Sequence, residues 1–110
     1  VFISPSAVIP STVLFPHPTG IVIGDGVRLG QRVRIFQNVT LGGARIGDRD
    51  KKNHPVIGDD TVIFAGAVIL GRVTIGERCI IGANSVVLCD VPPGATAVGA
   101  PARLIHSTQG

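Results

Sequence analysis

The sequence has no tryptophan, tyrosine or methionine, and its four aromatic residues are all phenylalanine. So sparse an aromatic content leaves no stacking platform for nucleic-acid bases, and nucleic acid is not an expected partner. Cysteine is nearly as scarce. Cys79 and Cys89 neither make a disulfide framework nor supply metal-ligand spacing, and both are read as reduced thiols of a cytoplasmic protein. No apolar run approaches the roughly 18 residues of a membrane span, and no charged-then-apolar leader is seen, so neither a membrane partner nor secretion is expected. The lack of an initiator methionine suggests an excerpt without its N-terminal segment. Charge is also low, 15% of residues with a net charge of +3. Four of the ten cationic side chains fall within Arg45–Lys52, a stretch that suits either an anionic small ligand or a solvated loop.

What the chain does contain is small or branched. Its 45% hydrophobic content is mostly Val, Ile, Leu and Ala, joined by 15 glycines and 8 prolines. β-branched side chains favour extended backbone over helix. From Val56 to Val87 an aliphatic residue returns every sixth position: Ile57, Ile63, Ile69, Ile75, Ile81 and Val87. Four places after each comes a small or β-branched residue, from Thr61 and Ala67 through Val73, Cys79 and Ser85 to Val91. A period of six fits neither the 3.6 of a helix nor the 2 of a half-buried strand. It matches the hexapeptide repeat of a parallel β-helix, in which each hexad is one short strand and one turn.

The rhythm also runs through the first part of the chain, with two interruptions. Ile3, Ile9 and Phe15 are in phase, as are Ile23, Leu29, Ile35 and Leu41, but Phe15 to Ile23 is eight residues. Two residues must therefore bulge near Pro16-His17-Pro18-Thr19-Gly20. Leu41 to Ile57 is sixteen residues, so a polar, glycine-rich excursion over 42–55 leaves the body. Three hexads close one triangular coil of about 18 residues, which stacks Ile57 on Ile75, Ile63 on Ile81, Ile69 on Val87, and Ile23 beside Leu41. The expected organisation is a β-helix over 1–95 and a C-terminal extension over 96–110, with Val91-Pro92-Pro93-Gly94 ending the repeat because proline cannot donate a ladder hydrogen bond. His17 and His54 are the histidines at the breaks, where side chains escape a packed column. Each is either a functional imidazole or an ordinary exposed loop histidine. His106, in the polar tail, is read as solvated.

Several of these features together resemble the hexapeptide-repeat acyltransferases, and within them serine O-acetyltransferase. They are the hexads, Thr40-Leu41-Gly42-Gly43, the excursion ending His54-Pro55, and Pro92-Pro93-Gly94 followed by Gly99-Ala100-Pro101-Ala102-Arg103. The resemblance covers nearly the whole chain and corresponds to the catalytic C-terminal part of that family. It implies a left-handed parallel β-helix, a homotrimer with active sites between subunits, and acetyl-CoA as co-substrate with no metal. It also implies a place in cysteine biosynthesis. A hydroxyl attacks the thioester, so a base must take the hydroxyl proton, and histidine suits that task at neutral pH. The resemblance gives His17, in His17-Pro18-Thr19-Gly20, the role of base, and His54 the holding of the acceptor. Coenzyme contacts fall by position on Ala65, Gly66 and Ala83, with Gly43 near the thioester and Arg103 or the Arg45–Lys52 cluster available to phosphates. Turn geometry alone would also account for most of those glycines and alanines.

Three positions depart from that pattern: Phe2 and Pro16 stand where the family has aspartates, and Asn53 where it has arginine. These changes remove charges that would engage a zwitterionic amino acid or orient the base. The expected activity is acetyl transfer from acetyl-CoA to a hydroxyl, with L-serine as acceptor. The alternatives are a sugar or polysaccharide-precursor hydroxyl, and a non-catalytic β-helical scaffold.

Overall fold

The computed structural model describes residues 1–43 and 54–105. Within them the chain makes short strands and tight turns and no helix, hence no helix able to cross a membrane. Successive coils add short strands or single bridges to three faces. The first face stacks β1 (Phe2–Ile3), β2 (Val22–Ile23), β5 (Thr40–Gly42), β8 (Val68–Leu70) and β11 (Val86–Val87). The second stacks β3 (Arg28–Leu29), β6 (Val56–Ile57) and β9 (Thr74–Ile75). The third stacks β4 (Arg34–Ile35), β7 (Val62–Ile63), β10 (Ile80–Ile81) and β12 (Thr96–Gly99), with β13 (Ala102–Ile105) running antiparallel to β12. All other pairings are parallel, and the coils form a left-handed parallel β-helix.

The sixfold rhythm sets the register directly. Ile57 pairs with Ile75, Ile63 with Ile81, Ile69 with Val87, and Ile23 with Leu41, the stacking that the spacing implies. These side chains point inward and form one column, in which Ile23, Ile35, Leu41, Ile63, Ile69 and Ile81 are fully buried. Burying each is worth about 1.5–3 kcal/mol. The small residues before each strand, such as Ala67, Cys79 and Ser85, are buried at the corners, where three faces leave little width.

At many corners one residue adopts a left-handed backbone, and the side chains adapt to it. Along the edge joining the third face to the first, Gly20, Asn38, Gly66 and Asn84 occupy that position with φ between 58° and 76°. Glycine and asparagine alternate there for a steric reason. A β-carbon on Gly20 or Gly66 would run into the side chain of Asn38 or Asn84 stacked upon it.

The ladder does not stop at Pro92-Pro93-Gly94, as the sequence led us to expect. Thr96 and Ala97 of β12 pair with Ile80 and Ile81, adding a further rung to the third face. The prolines are tolerated because they lie in a corner, where no ladder donor is required, and Gly94 makes the left-handed turn at φ 76°.

Candidate active site

Both interruptions of the repeat fall at prism edges, but at different ones. His17 follows Leu14, which bridges to Arg34 of the third face, and precedes β2 of the first. The backbone N–H of Thr19 donates to the His17 carbonyl at 2.7 Å, tightening the two-residue bulge, and that of Asn38 donates to Thr19 at 2.8 Å. This turn leaves the His17 side chain exposed, with its ring 6.3 Å from that of Phe36 at an angle of 42°. Phe36 in turn stacks on Phe64, centroids 5.2 Å apart at 24°.

His54 occupies the edge between the first and second faces, just before β6. The reading of both histidines as side chains that escape the column holds for His17 and fails for His54. The His54 side chain is 5% exposed, because its ring lies over the corner made by Gly24, Asp25 and Gly26 of the preceding coil. That corner is well fixed. The hydroxyl of Ser4 donates to Asp25 Oδ1, and the backbone N–H of Gly26 donates to Ser6 Oγ at 3.0 Å. Neither ring nitrogen of His54 has a hydrogen-bond partner among the described residues. Enclosed nitrogens without partners are costly, so this imidazole is suited to receiving polar groups from outside the column.

The two edges are separated by the first face. Crossing Gly20 to Gly24 in extended chain spans about 13 Å. Within one protomer, therefore, the edges that carry His17 and His54 are held apart. A site using both needs a second copy of the chain, whose edge meets the other.

The remaining candidates divide between the same edges. Ala65, Gly66 and Ala83 line the His17 edge. Consecutive corners are joined there by the N–H of Gly66 donating to Gln37 and that of Asn84 to Ala65. They make a path of small residues leading away from His17, one coil at a time. Gly43 follows β5 on the His54 edge and is half-buried. Arg103 is exposed on β13 at the far end of the third face, away from both histidines in its own protomer. Phe2 is exposed on the first face beside Val22, next to the His17 edge. The Arg45–Lys52 cluster, Asn53 and His106 lie outside the described residues. Among the described residues, no three His, Cys, Asp or Glu side chains gather to hold a metal ion.

Sequence reasoning missed Phe36 and Phe64. They are 28 residues apart, one coil plus the ten-residue excess of the excursion, and that register was the signal available. An exposed ion pair lies elsewhere. Arg32 Nε meets Asp60 Oδ1 at 2.7 Å on the edge between the second and third faces. The hydrogen bond to Arg32 holds the Asp60 carboxyl below its ordinary value, and the same bond raises the Arg32 guanidinium.

Known proteins resemble this chain along most of its length. The family model described as bacterial transferase hexapeptide (six repeats) matches residues 54–89. The serine acetyltransferase of Mycobacterium tuberculosis is 47% identical over 107 residues, covering 97% of this chain and 46% of its own length. A soybean serine acetyltransferase solved in complex with serine is 51% identical, with a TM-score of 0.86 over 94% of this chain and 42% of that one. A serine acetyltransferase solved in complex with CoA is 45% identical, with a TM-score of 0.85 over 94% of this chain and 41% of the other. The chain thus spans less than half the length of these relatives.

Proposed function

The chain belongs to the hexapeptide-repeat superfamily, and on that premise we propose that it is the β-helical catalytic part of an acetyl-CoA-dependent O-acetyltransferase of serine acetyltransferase type. L-serine is the acceptor and acetyl-CoA the co-substrate, a pairing supported by the serine and CoA complexes of its structural relatives. In this reading the protein is a homotrimer acting in cysteine biosynthesis, with each site built where the His17 edge of one copy meets the His54 edge of the next. The observation that carries the proposal is the placing of one open and one enclosed imidazole on opposite edges of a single face. A threefold arrangement brings unlike edges together around closed symmetry.

The chemistry assigned to these residues is short. The serine hydroxyl gives its proton to the unprotonated nitrogen of His17 as its oxygen bonds to the thioester carbonyl carbon. The C–S bond then breaks, and the departing thiolate is stable enough, with a pKa near 8.5, to leave with little acid assistance. The proton on His17 returns to the thiolate or to solvent. His54 is assigned to holding the acceptor, its ring nitrogens having no partner among the described residues, and holding the acceptor against the base accounts for much of the rate gain in such transfers. Ala65, Gly66 and Ala83 leave room for the coenzyme to lie against backbone on the His17 edge. Gly43 lies on the His54 edge, and Arg103 is available to a phosphate.

A second acceptor class has an observation in its favour. Phe2 and Pro16 place uncharged groups next to the His17 edge, and a neutral sugar hydroxyl needs no ion pair there. The test is release of free thiol from acetyl-CoA, with L-serine and with sugars in parallel, for the unaltered protein and for His17→Ala. Serine-dependent release that falls by at least 100-fold in the variant is the expected result. Release confined to sugars would transfer the activity to that acceptor. Equal release by both proteins would remove His17 as the base.

A further inference from the structure

The column leaves unexplained why two phenylalanines stand on the outside of the His17 edge. The residue that follows each inward aliphatic side chain opens a corner. At Gly24, Gly30, Gly58, Gly76 and Gly82 that residue is glycine, so the corner itself needs no ring. Nor does the core, because Ile35 and Ile63, which precede Phe36 and Phe64, are fully buried. The two rings stack on each other along the edge at 5.2 Å, and the next ring in the same line is His17 at 6.3 Å. Both separations lie in the range where aromatic pairs attract. Phe64 is 39% exposed, so this contact is made on the surface of the prism rather than in its interior.

We propose that Phe36, braced by Phe64, is the positioning residue for the His17 imidazole. Among the described residues the ring contact of His17 is with Phe36 alone, and no carboxylate orients it. The aromatic stack limits which way the imidazole turns and keeps it along the edge that carries Ala65, Gly66 and Ala83, so that Phe36 acts through His17 and not on the substrate. This inference rests on the acetyl-transfer reading for its consequence in catalysis, but the positioning itself is observable without turnover.

Phe36→Leu, Phe36→Tyr and Phe64→Leu are therefore compared with the unaltered chain, each first shown to keep its thermal midpoint. In proton NMR, the carbon-bound imidazole protons of His17 should lose their aromatic ring-current shift in Phe36→Leu and retain it in Phe36→Tyr. A smaller displacement is expected in Phe64→Leu. In turnover, Phe36→Leu should lower kcat about three- to ten-fold with KM for acetyl-CoA unchanged, and tyrosine should restore it. His17 signals identical in Phe36→Leu and the unaltered chain would overturn the inference, as would an unchanged kcat. Absence of thiol release from the unaltered chain would instead defeat the acetyl-transfer reading, and the NMR comparison would then decide the positioning by itself.

Discussion

Gly26 lies directly beneath the ring of His54, and a β-carbon there would come within 3.0 Å of His54 Cδ2. The glycine has a second reason to be glycine, its left-handed φ of 73°. Gly94 shares that conformation at φ 76°, yet a β-carbon on it would meet nothing within 4 Å. The two positions thus form a matched pair. Gly26→Ala and Gly94→Ala should each cost about 1–2 kcal/mol in chemical unfolding, the penalty of a side chain in that region. Only Gly26→Ala should displace the His54 resonances and raise KM for the acceptor. Identical kinetics in the two variants would show that Gly26 serves the turn and not the histidine.

If the site is shared between copies, inactive chains should rescue one another. His17→Ala and His54→Ala proteins, unfolded together in equal amounts and refolded, should recover about one quarter of the unaltered activity. Each working site then takes its His17 from one chain and its His54 from the other. Separately refolded variants, mixed afterwards, are the control. No recovery in the co-refolded sample would place both imidazoles in a single protomer's site, or in none.

Ile80 and Ile81 are neighbours of the same chemistry with opposite fates. Ile81 is fully buried in the column and Ile80 is 43% exposed on the third face. Ile81→Ala should destabilise the fold by about 2–5 kcal/mol, since the closely packed column cannot collapse around the space. Ile80→Ala should cost less than about 1 kcal/mol. Similar losses at the two sites in urea titrations would contradict the register.

The Arg32–Asp60 pair predicts a modest response to acid. Its hydrogen bond lowers the folded-state pKa of Asp60 below 3.8, so the stabilisation is complete above that value. It disappears as pH falls through the lower, folded value and the carboxylate takes up its proton. Both side chains are well exposed, so the effect is small and screened by salt. Asp60→Asn should abolish that acid-side contribution while leaving stability at alkaline pH on the same slope. A variant whose acid-side profile matches the parent would show that the ion pair contributes nothing.

Much of this molecule could be read before folding, because a β-helix is close to one-dimensional. Each hexad meets only the hexads one coil away, so the spacing of Ile57, Ile63 and Ile69 determined their partners Ile75, Ile81 and Val87 by counting. The same counting located both breaks, and with them His17 and His54. The reading stopped at Pro92-Pro93-Gly94, one rung too early, because a proline's lost donor matters in a strand and not at a corner. Tertiary structure alone decided what the breaks expose. Hexad counting puts the two breaks after different faces, but what the turns do with their side chains, one imidazole open and the other enclosed, emerged only in space. Phe36 and Phe64 share a register, but their stacking and its reach to His17 were revealed only by the folded chain. The enclosure of His54 against Gly26 likewise depends on the excursion returning to the coil it left, a long-range contact that no local pattern encodes.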